Sequence, residues 1–161
     1  MATSTTDGSG AWGSKTKVAG TYADVNGIKL YYETHGTGRP LILLHGGLGS
    51  GEMFGRNLAA LAAGRKVITV DLQGHGRTAD IDRPLSTELM AGDIASLIKH
   101  LKLERPDVMG YSLGGGVAFF VALRHPELVG KLVLVSTMLR RDAYYPEILA
   151  QQAQVTVEPL R

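Results

Sequence analysis

A serine between two glycines is the residue whose type and setting best suit chemistry in this chain. The pattern G-Y-S-L-G at residues 110–114 follows the apolar pair Val108-Met109 and precedes a helical run. A sharp turn from strand to helix presents a serine hydroxyl above a sheet. Glycines suit such a turn because two backbone segments approach closely and leave no room for side chains. The pattern therefore predicts a nucleophile at Ser112.

A second glycine-rich loop lies upstream, at His45-Gly46-Gly47, between an apolar run and a predicted helix. The order of strand, glycine-rich loop, helix and a further strand ending in Asp71 is also typical of a dinucleotide-binding unit. In such a unit Asp71 would bind the ribose. The third glycine of that motif would fall on Glu52, whose carboxylate repels a pyrophosphate. A dinucleotide-binding domain is therefore a lesser alternative.

Short strands and helices must position these loops. Residues 1–20 have the composition of a flexible tail, and one domain is expected over residues 21–161. The dipeptide Asn26-Gly27 predicts a hairpin between the first two strands. Strands that alternate with helices indicate an α/β fold whose mostly parallel sheet is covered on both faces. The predicted strands are 21–25, 28–34, 40–44, 66–70, 106–109 and 131–136, and the predicted helices are 52–62, 86–101 and 114–124.

Three motifs in this order resemble the α/β-hydrolase family. They are His45-Gly46-Gly47 after the third strand, D-L-Q-G-H-G at 71–76 after the fourth, and G-Y-S-L-G after the fifth. The resemblance, strongest to the serine esterase, lactonase and iminopeptidase branches, covers residues 21 to at least 137. It implies a nucleophile elbow at Ser112 and an oxyanion hole formed by the backbone N–H groups of Gly47 and Leu113. It also implies hydrolysis of a carboxylic ester, or of a lactone or amide, through an acyl-serine intermediate.

The chain departs from the family order of serine, acid and then histidine. The one histidine after Ser112 is His125, at the far end of the next predicted helix and roughly 15 Å away. Asp142 is the candidate acid and Glu147 its alternative, although either fits a solvated loop carboxylate. Relative to the family, we expect the C-terminal strands and the lid to be missing, and the catalytic base with them. A helical start at residues 144–154 falls where a lid usually begins.

Other residues near the motifs have structural interpretations. In the family, the positions of His45 and His75 shape loops rather than remove protons, and Asp71 is expected to hold the loop 71–76. His35 and His100 have the setting of surface or loop residues. Four apolar side chains are candidates for an acyl pocket, although core or loop packing explains them equally well: Leu48, Tyr111, Met138 and Leu139.

The sixth predicted strand has a physical consequence. If no strand follows it in the sheet, residues 131–136 form an open and apolar edge, which favours pairing with another chain. We therefore expect a homo-oligomer or a complementing polypeptide on this edge. A non-catalytic binding or assembly module that retains a partial hydrolase fold is the second hypothesis for function, because a suitable histidine is missing.

Composition bounds the remaining possibilities. The 161 residues carry 17 Lys and Arg against 15 Asp and Glu, a net charge of +2 that is scattered along the chain. Neither a nucleic-acid partner nor a membrane surface follows from this pattern. The lack of cysteine excludes disulfides and thiolate metal sites, and we expect no metal and no cofactor. With no signal peptide and no membrane span in the sequence, we expect a cytoplasmic protein acting on a small-molecule ester.

Overall fold

The computed structural model describes residues 20–140, 145–148 and 150. Within this part, an N-terminal hairpin of two strands precedes four strands that alternate with helices, and 3₁₀ turns at Gly51–Phe54 and Pro126–Leu128 complete the connections. The elements are β1 (Thr21–Val25), β2 (Ile28–His35), β3 (Arg39–Leu44), α1 (Gly55–Ala62), β4 (Arg65–Val70), α2 (Thr87–His100), β5 (Asp107–Tyr111), α3 (Leu113–Arg124) and β6 (Leu132–Val135).

The strands form one mixed sheet in the order β1-β2-β4-β3-β5-β6. Strands β4, β3, β5 and β6 run parallel, whereas β2 is antiparallel to both β1 and β4. The register pairs Leu44 with Val70 on one side and with Gly110 on the other, so three strands end at the same edge. This edge brings together the loops after β3, β4 and β5, and the predicted α/β fold with six strands is confirmed.

The hairpin turn forms where the sequence predicts it. Asn26 and Gly27 have φ angles of 48° and 79°, the paired positive values that a two-residue hairpin loop of this kind requires. The Asn26 side chain also donates to the buried Asp93 carboxylate at 2.8 Å. The hairpin is thereby tied to α2.

Two apolar clusters lie on opposite faces of the sheet. The larger cluster packs beneath α2 and α3 and includes Ile42, Leu44, Leu97, Val108 and Val117. The smaller cluster, which includes Leu41, Leu43, Phe54 and Val67, lies beneath α1.

The predicted covering of both faces by helices is incomplete within the described part of the chain. On the α1 side, Met109 of β5 is half-buried and packs against the smaller cluster, whereas its register partner Val133 of β6 is 43% exposed. Among the described residues, the α1 face of β6 is therefore left partly open at Val133.

Most element boundaries differ from the prediction by a residue or two, and three differences change how the elements are arranged. The predicted helix 52–62 is divided, because a 3₁₀ turn precedes α1 and Gly55 has a φ of 30°. Strand β5 continues through Gly110 and Tyr111, which pair with β6. The predicted strand 131–136 is shorter at both ends, and its pairing with β5 over Leu132–Val135 makes it the last strand of the described sheet.

The helix α2 begins as the sequence predicts, with the Leu89 N–H donating to the Ser86 hydroxyl at 3.1 Å. Leu89 itself lies in the first turn of α2 and is 38% exposed. Residues 146–148 and 150 are helical, and the rest of the predicted segment 144–154 lies outside the described residues. Among the described helices, none has the length and apolar character needed to cross a membrane.

Candidate active site

Ser112 occupies a strained turn between β5 and α3. Its φ of 50° and ψ of −113° lie in a region that non-glycine residues rarely adopt, at a cost of about 1–3 kcal/mol. The surrounding backbone holds it there: the Ser112 N–H donates to the Val135 carbonyl at 2.9 Å, and the Ser112 carbonyl accepts from Gly115 and Gly116. The hydroxyl makes no capping hydrogen bond to α3. The turn thus presents Ser112 without using its hydroxyl for structure.

Close backbone contacts explain why both positions flanking the elbow are glycine, as predicted. A Cβ atom at Gly110 would lie 2.0 Å from the Gly114 carbonyl oxygen, and one at Gly114 would lie 2.3 Å from the Leu44 carbonyl oxygen. The Gly114 N–H also donates to the His45 carbonyl at 3.0 Å. The start of α3 therefore packs directly on the end of β3, and this contact brings the loop after β3 beside the serine.

The oxyanion loop, residues 45–49, is held by hydrogen bonds on the peptide between Gly46 and Gly47. The Leu72 N–H donates to Nε2 of His45 at 3.0 Å, so the ring proton resides on Nδ1. That Nδ1–H donates to the Gly46 carbonyl at 2.7 Å, and the Gly49 N–H donates to the same oxygen at 3.2 Å. In a trans peptide the N–H points opposite to the carbonyl. The Gly47 N–H is therefore directed away from the loop interior.

His45 is a structural residue, as expected. It is fully buried, and this burial lowers the pKa of its imidazole although the Gly46 carbonyl acts in the opposite direction. Both ring nitrogens are engaged, so His45 is held neutral and unable to act as a base. The His75 ring lies 5.3 Å from that of His45, and its Nδ1 is 2.8 Å from the Gln73 carbonyl oxygen.

Two backbone donors lie beside Ser112 without a partner. Leu113 is the first residue of α3, where no carbonyl of the helix can accept its N–H. Neither this N–H nor that of Gly47 donates to any residue in the described ranges. A Cβ atom at Gly46 would lie 3.4 Å from the Ser112 Cβ, so the oxyanion loop touches the elbow. This arrangement fits the predicted oxyanion hole, whose role stays a prediction.

Asp71 holds the loop after β4. The carboxylate is 1% exposed and accepts hydrogen bonds from the Gly51 N–H at 2.6 Å and from the Arg77 N–H at 2.9 Å, one on each oxygen. A Cβ atom at Gly76 would lie only 2.3 Å from this carboxylate. Because the carboxylate is buried and both of its oxygens accept hydrogen bonds within the protein, Asp71 holds the loop, and the structure does not support its alternative role as a ribose ligand.

The other histidines lie away from the serine. His125 follows the last residue of the 12-residue helix α3, which places it roughly 18 Å along the axis from Ser112. His35 pairs with Val67 near the start of β4, at the opposite edge of the sheet. His100 is exposed at the end of α2. The expectation that these residues are not the base agrees with their positions.

The candidate acid Asp142 lies outside the described residues, and its alternative Glu147 is exposed. The candidate pocket residues all lie at the surface: Leu48 is fully exposed, Tyr111 is 37% exposed, and Met138 and Leu139 are each 47% exposed. Core packing is therefore excluded for these four side chains. Their role in binding an acyl group stays a prediction.

Sequence reasoning missed Met53. Its sulfur accepts a hydrogen bond from the Gly46 N–H at 3.3 Å, within the oxyanion loop. No local pattern marks this contact, since a thioether is a weak acceptor without a motif of its own. Only the fold of the turn Gly51–Phe54 back onto the loop reveals it.

The fold, the elbow and the loop contacts define the class to which the protein belongs. The sequence model of the α/β hydrolase fold matches residues 39–160, and the chain belongs to this family. A protein from Rhizobium rhizogenes that carries the name carbamate hydrolase RutD is 38% identical over 120 residues, which are 71% of this chain and 46% of that protein. The chain spans about half the length of the curated relatives that it matches.

Solved structures give the same result. The ligand-free epoxide hydrolase CorEH superposes with a TM-score of 0.77 at 30% identity, over 84% of this chain and 49% of that protein. The esterase EaEST from Exiguobacterium antarcticum superposes with a TM-score of 0.72 at 33% identity, over 78% of this chain and 50% of that protein. These similar proteins are named as hydrolases.

Proposed function

We propose that this chain carries the nucleophile of a serine hydrolase that cleaves a carboxylic ester, or a related lactone or amide, through an acyl-serine intermediate. The observation that carries the proposal is the strained backbone of Ser112 beside two unpartnered N–H groups, those of Gly47 and Leu113. Strain at a non-glycine residue is commonly retained where it serves a functional site.

The proposed reaction has two steps. The Ser112 oxygen attacks the substrate carbonyl carbon, and the carbonyl oxygen gains negative charge that the N–H groups of Gly47 and Leu113 stabilise. A base takes the serine proton and passes it to the leaving group as the carbon–oxygen or carbon–nitrogen bond breaks, and water then releases the acyl group. Each fixed donor contributes about 3 kcal/mol to such a transition state.

The names of relatives support attack on a carbonyl group. A carbamate hydrolase and an esterase both act on a carbonyl carbon bonded to a heteroatom. An epoxide lacks this carbonyl, and the epoxide-hydrolase branch of the family uses an aspartate at the elbow. The serine at position 112 therefore favours an ester or a related acyl substrate over an epoxide.

Neither His45, which is fully bonded, nor His125, at the far end of α3, is placed to act as the base. We propose that a second copy or another polypeptide docks on β6, covers the edge that the described residues leave open and completes the site. Leu132 and Val133 on this strand are 36% and 43% exposed. An exposed apolar edge strand favours pairing with a further strand.

A fluorophosphonate probe tests the nucleophile. We expect wild-type protein to be labelled at Ser112 and Ser112→Ala to give no adduct. Ser136→Ala is a matched control, because Ser136 also has a positive φ, of 48°, near the same edge of the sheet. This control should be labelled like the wild type.

The same experiment decides a second candidate function, a non-catalytic binding or assembly module. The lack of a suitably placed histidine among the five in the sequence favours this candidate. Folded wild-type protein without an adduct would support the module and contradict the acyl-serine proposal. Slow turnover of an activated ester is not decisive, because an oxyanion hole alone can leave roughly thousandfold catalysis over water.

Replacing Val133 by lysine tests the edge. A charge on an exposed edge strand opposes pairing, so Val133→Lys should sediment as a monomer where the wild type forms dimers or larger species. A wild-type chain that stays monomeric at high concentration, and that neither aggregates nor binds another polypeptide, would contradict the proposed docking.

A further inference from the structure

We propose that Met53 is a positioning residue that holds the oxyanion loop through its sulfur and makes acylation of Ser112 sensitive to peroxide. The inference rests on the proposed acyl-serine function and adds to it a residue and a form of regulation. It begins from the hydrogen bond that the Gly46 N–H donates to Sδ of Met53 at 3.3 Å.

The Met53 sulfur belongs to a turn that several hydrogen bonds hold in place. The Met53 N–H donates to the Ser50 carbonyl at 3.0 Å, and the Ser50 hydroxyl accepts from the Glu52 N–H at 3.3 Å. The Gly51 N–H donates to the buried Asp71 carboxylate at 2.6 Å. The turn Gly51–Phe54 is therefore tied to β4, and Met53 offers its sulfur from a defined position.

The contact controls the peptide that precedes the oxyanion donor. The peptide between His45 and Gly46 is held on one side by Met53 and on the other by the Gly114 N–H, which donates to the His45 carbonyl. The next peptide, between Gly46 and Gly47, carries the Gly47 N–H. Rotation of the peptide plane between His45 and Gly46 therefore reorients the Gly47 N–H. Within the described residues, the Gly46 N–H has no acceptor other than Met53.

Reversible oxidation of the Met53 thioether can remove and restore this contact. Met53 is 47% exposed and so accessible to a small peroxide. Hydrogen peroxide transfers one oxygen atom to the sulfur and leaves as water, so the sulfur is oxidised to a sulfoxide while the peroxide is reduced. The sulfoxide is larger and polar, and a methionine sulfoxide reductase reverses it. Its added oxygen is a stronger acceptor that lies away from the present position of the sulfur, so it draws the Gly46 N–H out of its place in the loop.

Met90 provides a control for the substitution itself. It lies on α2, is 2% exposed within the larger apolar cluster, and its sulfur accepts no hydrogen bond from the residues that the structure describes. Leucine replaces methionine with little change in volume and removes the acceptor. Met53→Leu and Met90→Leu therefore separate loss of the sulfur contact from the change of residue type alone.

Two readouts on the 161-residue chain test the inference. In ¹H–¹⁵N spectra, Met53→Leu should shift the Gly46 amide proton upfield, whereas Met90→Leu should leave it in place. Fluorophosphonate labelling of Ser112 should be about tenfold slower in Met53→Leu, in the maximal rate rather than in probe affinity, because a misplaced donor weakens the transition state. Hydrogen peroxide should slow labelling in the wild type and in Met90→Leu, and methionine sulfoxide reductase should restore it. The same treatment should cause no further slowing in Met53→Leu.

The outcomes distinguish this inference from the function on which it rests. An unchanged Gly46 amide in Met53→Leu, or unchanged wild-type labelling after complete oxidation of Met53 verified by mass spectrometry, overturns the positioning role. If the Gly46 amide responds as expected but no protein is labelled at Ser112, the acyl-serine function fails while the loop contact of Met53 is supported.

Discussion

Gly46 and Gly47 are neighbours in the oxyanion loop, but the structure assigns them different constraints. A Cβ atom at Gly46 would lie 2.9 Å from the Tyr111 ring, so a side chain there requires that ring to move. At Gly47 the same atom would meet nothing within 4 Å, and its φ is not positive. Packing therefore explains the glycine at position 46. At position 47 the glycine leaves the approach to an unpartnered N–H open.

Gly47→Ala tests this distinction at the residue scale. We expect the free energy of unfolding to change by less than about 0.5 kcal/mol, since the methyl group enters open space. Labelling of Ser112 by a fluorophosphonate should slow about tenfold, because the methyl group crowds a substrate against the N–H. Denaturant titration and labelling rates measure the two effects. Lost stability with unchanged labelling would assign Gly47 to the turn alone.

At the scale of elements, the site depends on how closely α3 approaches β3. Gly114 lies against the Leu44 and His45 carbonyls, which belong to backbone and cannot move aside as a side chain can. Two residues later, a Cβ atom at Gly116 would lie 3.1 Å from a methyl group of Thr87 on α2. One glycine permits backbone contact at the elbow, whereas the other faces a side chain that can yield.

The pair Gly114→Ala and Gly116→Ala tests the elbow contact. We expect Gly114→Ala to destabilise the protein by about 3 kcal/mol through overpacking. Gly116→Ala should be nearly neutral, because the helix propensity of alanine, worth about 1 kcal/mol over glycine, offsets the contact with Thr87. Urea unfolding measures both variants. Equal losses of stability would contradict the claim that backbone contact at Gly114 sets the approach of α3.

At the scale of the whole molecule, a buried carboxylate connects several strands at the edge of the sheet opposite Ser112. Asp107, at the start of β5, accepts from Arg39 at 3.0 Å, from Arg65 at 2.7 Å and from the Lys131 N–H at 3.0 Å. Burial opposes the charge of Asp107, but the bond with Arg65 and the charges of both arginines outweigh it and hold its pKa below the usual range. One side chain thus connects β5 with β3, β4 and the start of β6.

Asp107→Asn should lower the free energy of unfolding by about 2 kcal/mol at pH 7, since the charged hydrogen bonds are lost and the arginines are partly exposed to screening solvent. The pKa of Asp107 is lower in the folded protein than in the unfolded chain, where it is near 3.8, so the charged carboxylate stabilises the folded state above that pH. This stabilisation disappears as the pH falls through the pKa of the folded state. The difference between wild type and variant should therefore shrink below about pH 4. A constant difference down to pH 2 would contradict the assigned pKa shift.

Much of the fold could be predicted from local patterns. Asn26-Gly27, the apolar runs of the parallel strands and the Ser86 cap each act over a few residues, so their sequence suffices to identify them. Coverage of the sheet could not be predicted, because it depends on where helices pack. The split before α1 at Gly55 and the exposed α1 face of Val133 both arise at that level.

The candidate site divides in the same way. The spacing of G-Y-S-L-G and of His45-Gly46-Gly47 determined which serine and which loop belong to it. The strand order β4-β3-β5 decided that these loops meet, and it placed the Leu72 N–H on His45 and the Gly114 N–H on the His45 carbonyl. Such contacts join residues far apart in the chain. Their distances follow from packing of the whole sheet, which no short stretch of sequence contains.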